Sequence, residues 1–245
     1  MTDRDVMEYD VVIVGAGPAG LACAIRLKQL DPGRSVCVLE KSSTIGAHLI
    51  SGCALEPGPL DALLPGWRDS PPPILVPATR DEFWYFTKEG AVRLPNPPQM
   101  HNRGNFIVSL GQLAPLMAAR AEALGVDVFA GFAASEALQD GDGRVLGVRI
   151  GDMGLDRQRN PGPNFAPGPD IRAGTTILAE GCRGSVTKQL IARLGLADGR
   201  GPQTYGLGIK ELWQLPTGRV EPGLIQHSVG WPVDARTYGG SFLYH

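Results

Sequence analysis

Cysteine is scarce in this sequence, and no two cysteines share a C-x-x-C spacing. Cys23, Cys37, Cys53 and Cys182 therefore suggest neither a disulfide framework nor a metal site. Cys23 falls in a helical stretch and Cys37 in an apolar strand, so both read as core thiols. Charge of one sign is also lacking: the net charge is −2, which gives no reason to expect nucleic acid as a partner. A long uninterrupted apolar run is missing. The longest, Val11 to Ile25, is broken by a glycine turn, so nothing spans a bilayer. The first residues, Met1 to Glu8, carry three acids and one arginine around no apolar centre, which matches neither a signal nor a transit peptide. What the 245 residues do have is glycine (33), proline (21) and a 43% hydrophobic share. That composition predicts a proper core in one large or two small domains, with many turns.

The stretch from Tyr9 to Glu40 organises the rest. Tyr9 to Val14 is short, β-branched and apolar, the signature of a buried parallel strand. Gly15-Ala16-Gly17-Pro18-Ala19-Gly20 follows at once. Leu21, Ala24, Ile25 and Lys28 then recur at helical spacing, Asp31-Pro32-Gly33 ends the helix, and Val36 to Glu40 is a second strand. The pattern is a βαβ unit with G-x-G-x-x-G at its first turn. An acid stands twenty positions after the last glycine. Gly15 allows the tight turn, Gly17 lets a pyrophosphate approach the backbone, and Gly20 lets helix and strand pack closely. The helix start offers free N–H groups and a partial positive charge to phosphates. Glu40 is suited to accept both hydroxyls of an adenosine ribose and would repel a 2′-phosphate, which argues against NADP here. A glycine turn that merely packs would not explain an acid at this strand end.

Further along, Lys41 to His48 and Ser51 to Gly58 are rich in small residues, with Ser51 and Gly52 expected where backbone approaches a flavin ring. Leu60, Leu63, Leu64 and Trp67 form one helical face before Pro71-Pro72-Pro73; it either packs on the protein or dips into a membrane surface. Glu82 to Phe86 and Ala91 to Leu94 read as a hairpin. Asn105 to Val108 leads to a helix opened by Ser109 with Gln112 in an S-x-x-Q box and closed at Gly125. Val126 to Phe129 is a further strand, and Ala133 to Gln139 with Arg144 to Ile150 a second hairpin. Gly151 to Gly168 reads as loop. Ile171 to Ala179 is a strand ending at Glu180-Gly181, and a helix runs from there to about Leu194. Glu180 either touches a cofactor or caps that helix. Thr204 to Trp213 is expected as a strand, followed by Gln226 to Pro232 and Tyr238 to His245. His227 reads as a sheet histidine more readily than as a base.

These motifs together resemble the electron transfer flavoprotein–ubiquinone oxidoreductase family. The resemblance rests on Ile13 to Leu21, Gly46-Ala47-His48, Ala179 to Cys182, Pro202 to Gly206, Lys210 to Trp213, Val229 to Pro232 and Thr237 to His245. It covers nearly the whole chain from Tyr9, and the Tyr238 to His245 string is its most selective part. Sister flavin hydroxylases carry Asp-Gly where this chain has Glu180-Gly181. The resemblance implies an α/β fold: a Rossmann-like FAD-binding domain of the glutathione-reductase/hydroxylase type, with a β-rich quinone or substrate domain. It implies FAD held by Gly15, Gly17, Pro18, Ala19, Gly20, Glu40, Lys41, Ser51, Gly52, Glu180 and Gly181. It places the quinone beside Tyr238, Gly239 and Gly240. It further implies a protein lying on the inner membrane, on its cytoplasmic face in a bacterium, with the surface segment at about 60–73. The partners would be electron-transfer flavoprotein, ubiquinone and the membrane surface. The family's [4Fe-4S] cluster and a second flavin-contacting segment belong to a C-terminal half not seen here. The chain is thus expected to be truncated, with none of its cysteines serving the cluster.

The expected domains are 1–75 (FAD-binding, first part), 76–108 (a hairpin of the quinone domain), 109–200 (FAD-binding, continued) and 201–245 (start of an antiparallel quinone-binding domain). The expected activity passes single electrons from reduced electron-transfer flavoprotein to ubiquinone and needs no nucleophile or dedicated base. Two other readings suit the same residues: an NAD(P)H-using flavin monooxygenase or isoprenoid (geranylgeranyl) reductase, and an inactive fragment.

Overall fold

A computed structural model describes residues 4–234 and 236–245. The first three residues of the Met1 to Glu8 stretch therefore lie outside the described residues. In chain order, β1 (Val6–Val14), α1 (Pro18–Leu30) and β2 (Val36–Glu40) come first. Next are β3 (Gly52–Leu55), α2 (Pro57–Leu63), β4 (Val76–Pro77), β5 (Arg80–Phe86), β6 (Ala91–Leu94) and β7 (Phe106–Ser109). Then follow α3 (Leu110–Ala123), β8 (Asp127–Ala130), β9 (Ala134–Gln139), β10 (Val145–Ile150), β11 (Met153–Leu155) and β12 (Pro161–Ala166). The chain closes with β13 (Asp170–Leu178), α4 (Ser185–Arg193), β14 (Leu224–Gly230) and β15 (Gly240–Tyr244).

The chain divides into two compact units. The first joins the chain up to Leu49 with Gly111–Gly208; the second joins Ile50–Leu110 with Ile209–His245. The first unit is built on a six-stranded sheet ordered β8-β2-β1-β13-β10-β9. Its first four strands run parallel, while β10 and β9 are antiparallel. Val11 to Val14 and Val36 to Leu39 are buried because a parallel sheet is covered on both faces. Leu21, Ala24 and Ile25 of α1 have no exposure, and the leucine and isoleucine each contribute roughly 1.5–3 kcal/mol of burial. Helix α3 ends as expected at Gly125, which takes a left-handed φ of +84°.

The second unit holds a four-stranded sheet, β15-β14-β5-β6, and a three-stranded one, β3-β7-β4. The four-stranded sheet is mixed. Strand β14 runs antiparallel to β15 but parallel to β5. Its pleat sends Ile225 and His227 to one face and Gln226 and Ser228 to the other.

Three local expectations change. The stretch 151–168, read as loop, holds the β11–β12 hairpin. Its turn is closed by the Asp156 carboxylate, which accepts the N–H groups of Gln158 and Asn160 at 2.8 Å each. That side-chain closure replaces the alternating pattern a strand reading relies on. Thr204 to Trp213 forms no strand, and Leu207 and Leu212 are fully exposed. It has the alternation of a strand but no strand partner among the described residues. The helix through Leu60 stops at Leu63, and Trp67 sits in a separate short 3₁₀ turn. The indole N–H of Trp67 donates to Asp61 at 2.7 Å and its ring meets Phe106 edge-on at 5.4 Å, so this side chain packs on the protein. Among the described residues no helix is long and apolar enough to cross a membrane.

Candidate functional site

The first unit carries a cavity of about 660 Å³ at the end of β1. It forms where β1 and β13 diverge beyond their last shared bond, from Ala179 N–H to the Val14 carbonyl at 2.8 Å. The three motif glycines answer to different demands. Gly15 has φ +108°, and a Cβ there would collide with the Ala179 carbonyl. A Cβ on Gly20 would collide with the Gly15 carbonyl. Gly17, by contrast, has no atom within 4 Å of where its Cβ would be. Two glycines are therefore required by packing, and the third borders open space.

Gly17 is also the N-cap residue of α1. No side chain caps this helix, Pro18 opens it, and its first turn holds no acid. The free N–H groups and the positive dipole end are thus left facing the cavity. Lys41, His48 and Arg183 line the same space. Glu40 points back at the glycine turn: one carboxylate oxygen accepts the Ala16 N–H at 3.2 Å and the other accepts the Ser42 N–H at 2.9 Å. Each oxygen retains a lone pair for a further donor. These residues fit a dinucleotide: amides and cations for a diphosphate, a carboxylate for a ribose, and no side chain in front of Gly17.

Glu180 lines the cavity, but its carboxylate is engaged elsewhere. It accepts the N–H groups of Ser185 (2.9 Å), Val186 (3.2 Å) and Thr187 (2.8 Å), and the Thr187 hydroxyl at 2.7 Å. It therefore caps α4, and those donors offset its charge beside a phosphate site. Gly181, at φ +79°, lines the cavity with nothing within 4 Å of its Cβ position. Gly20 lies behind the lining. Ser51 and Gly52 belong to the second unit, where the Ser51 hydroxyl donates to the Gly52 carbonyl at 2.9 Å and Gly52 pairs with Ser109. Arg183 went unremarked in the sequence. The only signal was its place in the turn after Glu180-Gly181.

The second unit has its own cavity, of about 510 Å³, on one face of the four-stranded sheet. Trp84, Phe86, Ala91, Ser228, Ser241 and Leu243 contribute to its lining. Beneath it lies Glu82, only 5% exposed. Its carboxylate accepts from Gln226 at 2.6 Å and from the Trp84 indole N–H at 3.0 Å, and pairs with Arg80 and Arg93 at 3.4 and 3.5 Å. Gln226, desolvation notwithstanding, together with Trp84 and the two arginines holds this carboxyl below the usual range. His227 also borders this cavity; its ring stands edge-on to Tyr244 at 6.4 Å, and burial lowers its pKa against a weaker opposing pull from Asp81. Tyr238 is fully exposed, a Cβ on Gly239 would meet Val233 at 3.4 Å, and Gly240 starts β15, where a Cβ would collide with the Ser228 carbonyl. None of these three lines the cavity. Among the described residues no group of His, Cys, Asp or Glu could hold a metal ion.

A parallel sheet, a glycine-lined helix start and an acid at the second strand define a Rossmann-like dinucleotide-binding fold. A family model described as an NAD(P)-binding Rossmann-like domain matches residues 13–60. Among solved structures, the chain is similar to a geranylgeranyl bacteriochlorophyll reductase-like protein from Thermoplasma acidophilum, with a TM-score of 0.57 and 16% identity over 92% of this chain and 51% of that one. It is also similar to aklavinone-11 hydroxylase, solved with FAD and aklavinone, with a TM-score of 0.53 and 22% identity over 78% and 35% of the two chains. Both likenesses concern the fold. The sequence goes further, for the chain is similar along nearly its whole length to electron transfer flavoprotein-ubiquinone oxidoreductases. It is 51% identical to the mitochondrial protein of Oryza sativa, 48% to the Pseudomonas aeruginosa protein and 46% to the mitochondrial protein of Homo sapiens, each over 99% of this chain. It covers 43%, 46% and 40% of those proteins, so it spans less than half their length. A model described as ETF-QO, ubiquinone-binding matches residues 205–245. The resemblance drawn from the motifs is borne out along the whole chain.

Proposed function

We propose that this chain supplies the FAD-binding and quinone-facing part of an oxidoreductase that passes electrons from reduced electron-transfer flavoprotein to ubiquinone. One observation carries the cofactor reading: open space in front of Gly17 coincides with an uncapped helix start and the Glu40 carboxylate. Backbone amides near Gly15, Gly17, Pro18, Ala19 and Gly20 would hold the diphosphate, with Lys41 adding positive charge. Glu40 would hold the adenosine ribose, and Gly181 would admit the cofactor's backbone closely. Ser51 and Gly52 stay assigned to the flavin side by the family resemblance, and Glu180 acts through the turn it caps. When bound, FAD supplies the redox change, taking up and releasing electrons at its ring system. The protein's own task is to fix distances, exclude water and admit quinone, so no nucleophile is assigned. Tyr238, Gly239 and Gly240 mark the quinone side. A lipid-soluble acceptor places the work at a membrane surface, for which the segment 60–73 is the candidate. The [4Fe-4S] cluster is assigned to sequence that the longer relatives have beyond this match.

Equilibrium dialysis of the purified chain against FAD tests the cofactor reading. Saturable binding that weakens in Glu40→Ala supports it, and no binding above background refutes it. Mixing the FAD-loaded chain with reduced electron-transfer flavoprotein and then with NADPH tests the donor. Flavin bleaching by NADPH alone would instead favour the monooxygenase or isoprenoid-reductase chemistry.

A further inference from the structure

Resting on the FAD reading above, we infer that the Arg183 guanidinium grips the cofactor's diphosphate and that the ring of Tyr205 positions it to do so. The cavity of the first unit is bordered by the starts of α1 and α4, and the two are unequal. At α1 no side chain caps the first turn, so its N–H groups are open to an anion. At α4 the Glu180 carboxylate accepts the N–H groups of Ser185, Val186 and Thr187. On that side the amides are spent and a carboxylate stands beside them. Arg183 lies in the same turn, lines the cavity and supplies the positive charge that the capped helix start cannot.

That charge is not consumed within the protein. Among the described residues no carboxylate or carbonyl takes an N–H donor of Arg183. Its partner is a ring instead: the guanidinium carbon lies 5.4 Å from the centroid of Tyr205. A guanidinium meets an aromatic ring through its flat face and an oxyanion through its N–H edge, so the stack leaves the edge open. A diphosphate offers paired oxygens that match this fork. Tyr205 is tethered in turn, its hydroxyl donating to Gln203 at 3.0 Å. The stretch around it forms no strand, and Leu207 is fully exposed, so the stack is no by-product of close packing there. A free arginine surrenders rotamer freedom when it grips a ligand, and a ring that fixes it beforehand reduces that loss. Arg183 is therefore the ligand-binding residue and Tyr205 a positioning residue that acts through it.

The test is equilibrium dialysis of the 245-residue chain against FAD at about 0.05 M and about 0.5 M salt. Arg183→Gln should weaken binding about tenfold at the lower salt and flatten its salt dependence, which a purely structural role would not do. Arg183→Lys should keep the salt dependence and lose about threefold, since it keeps the charge without the fork. Tyr205→Leu should weaken binding about two- to fivefold, and Tyr205→Phe, which keeps the ring, should recover wild-type affinity. The double variant Arg183→Gln with Tyr205→Leu should bind no more weakly than Arg183→Gln alone. Both side chains are exposed, so the variants should melt like wild type. FAD affinity and salt dependence unchanged in Arg183→Gln would overturn the inference, and a continued loss in Glu40→Ala would leave the cofactor reading standing. Losses that add in the double variant, or Tyr205→Leu binding like wild type, would overturn the positioning role. No saturable FAD binding by wild type would refute the cofactor reading and this inference with it.

Discussion

Replacing Gly17 by alanine separates folding from cofactor binding. The residue sits at φ −77°, ψ 174°, a conformation open to alanine, and its added methyl would meet no protein atom within 4 Å. Two small folding terms oppose each other. A stiffer unfolded chain adds roughly 0.4–1 kcal/mol of stability, and a poorer N-cap removes a similar amount. Net stability should stay within about 1 kcal/mol, or about 4 °C in Tm for a protein of this size. Binding should respond differently, because the methyl stands where a phosphate would meet the backbone. Losing one charge-assisted hydrogen bond there removes about 1.5–3 kcal/mol, which is about 10–150-fold in Kd for FAD. Gly20→Ala provides the contrast. Its methyl collides with the rigid Gly15 carbonyl, so about 3 kcal/mol of stability should be lost, lowering Tm by about 6–12 °C. The assays are thermal melts by circular dichroism and equilibrium dialysis against FAD. If Gly17→Ala unfolds as readily as Gly20→Ala, or binds FAD as tightly as wild type, the division of labour among the glycines is wrong.

Three further outcomes concern the carboxylates of Glu82 and Glu180 and the imidazole of His227. Glu82→Ala should lose about 2–4 kcal/mol in urea denaturation, because it strips a buried acceptor from the Trp84 and Gln226 donors. Glu180→Ala should lose about 1–2 kcal/mol by uncapping α4, measured by the same method. For His227, whose folded pKa lies below its ordinary 6.5, the unfolded chain binds the proton first. Its neutral form contributes stability above pH 6.5 that is lost as pH falls through the folded value. His227→Gln should therefore flatten the fall in Tm as pH drops below about 6.5, and an unchanged slope would contradict the assignment.

The sequence was most legible where one segment carries the whole signal. Tyr9 to Glu40 contains its own strand, turn, helix and acid, and the structure places them as their spacing implies. Even the difference between Gly17 and Gly20 follows from motif chemistry. Glu180 was less legible, since capping and ligand contact call for the same residue at the same place; only the bonds to Ser185, Val186 and Thr187 separate them. The cavity of the second unit was not legible. Glu82 and Gln226, joined by a 2.6 Å bond, stand 144 positions apart, and nothing local to either names the other. Thr204 to Trp213 misled for the converse reason: alternation describes a strand's faces but does not supply its neighbour.

The parallel register of β5 with β14 has a consequence for how the molecule is made. During synthesis Glu82 leaves the ribosome long before Gln226 exists, so a carboxylate destined for the interior waits in solvent while well over a hundred residues are added. The first unit is interrupted in the same way, its glycine turn being translated ahead of the Ala179 carbonyl that closes over it. Pairings of such long range form slowly. The nascent chain thus carries two half-built sheets with open edges, and its yield in cells should depend on chaperone capacity more than on the final stability of either unit.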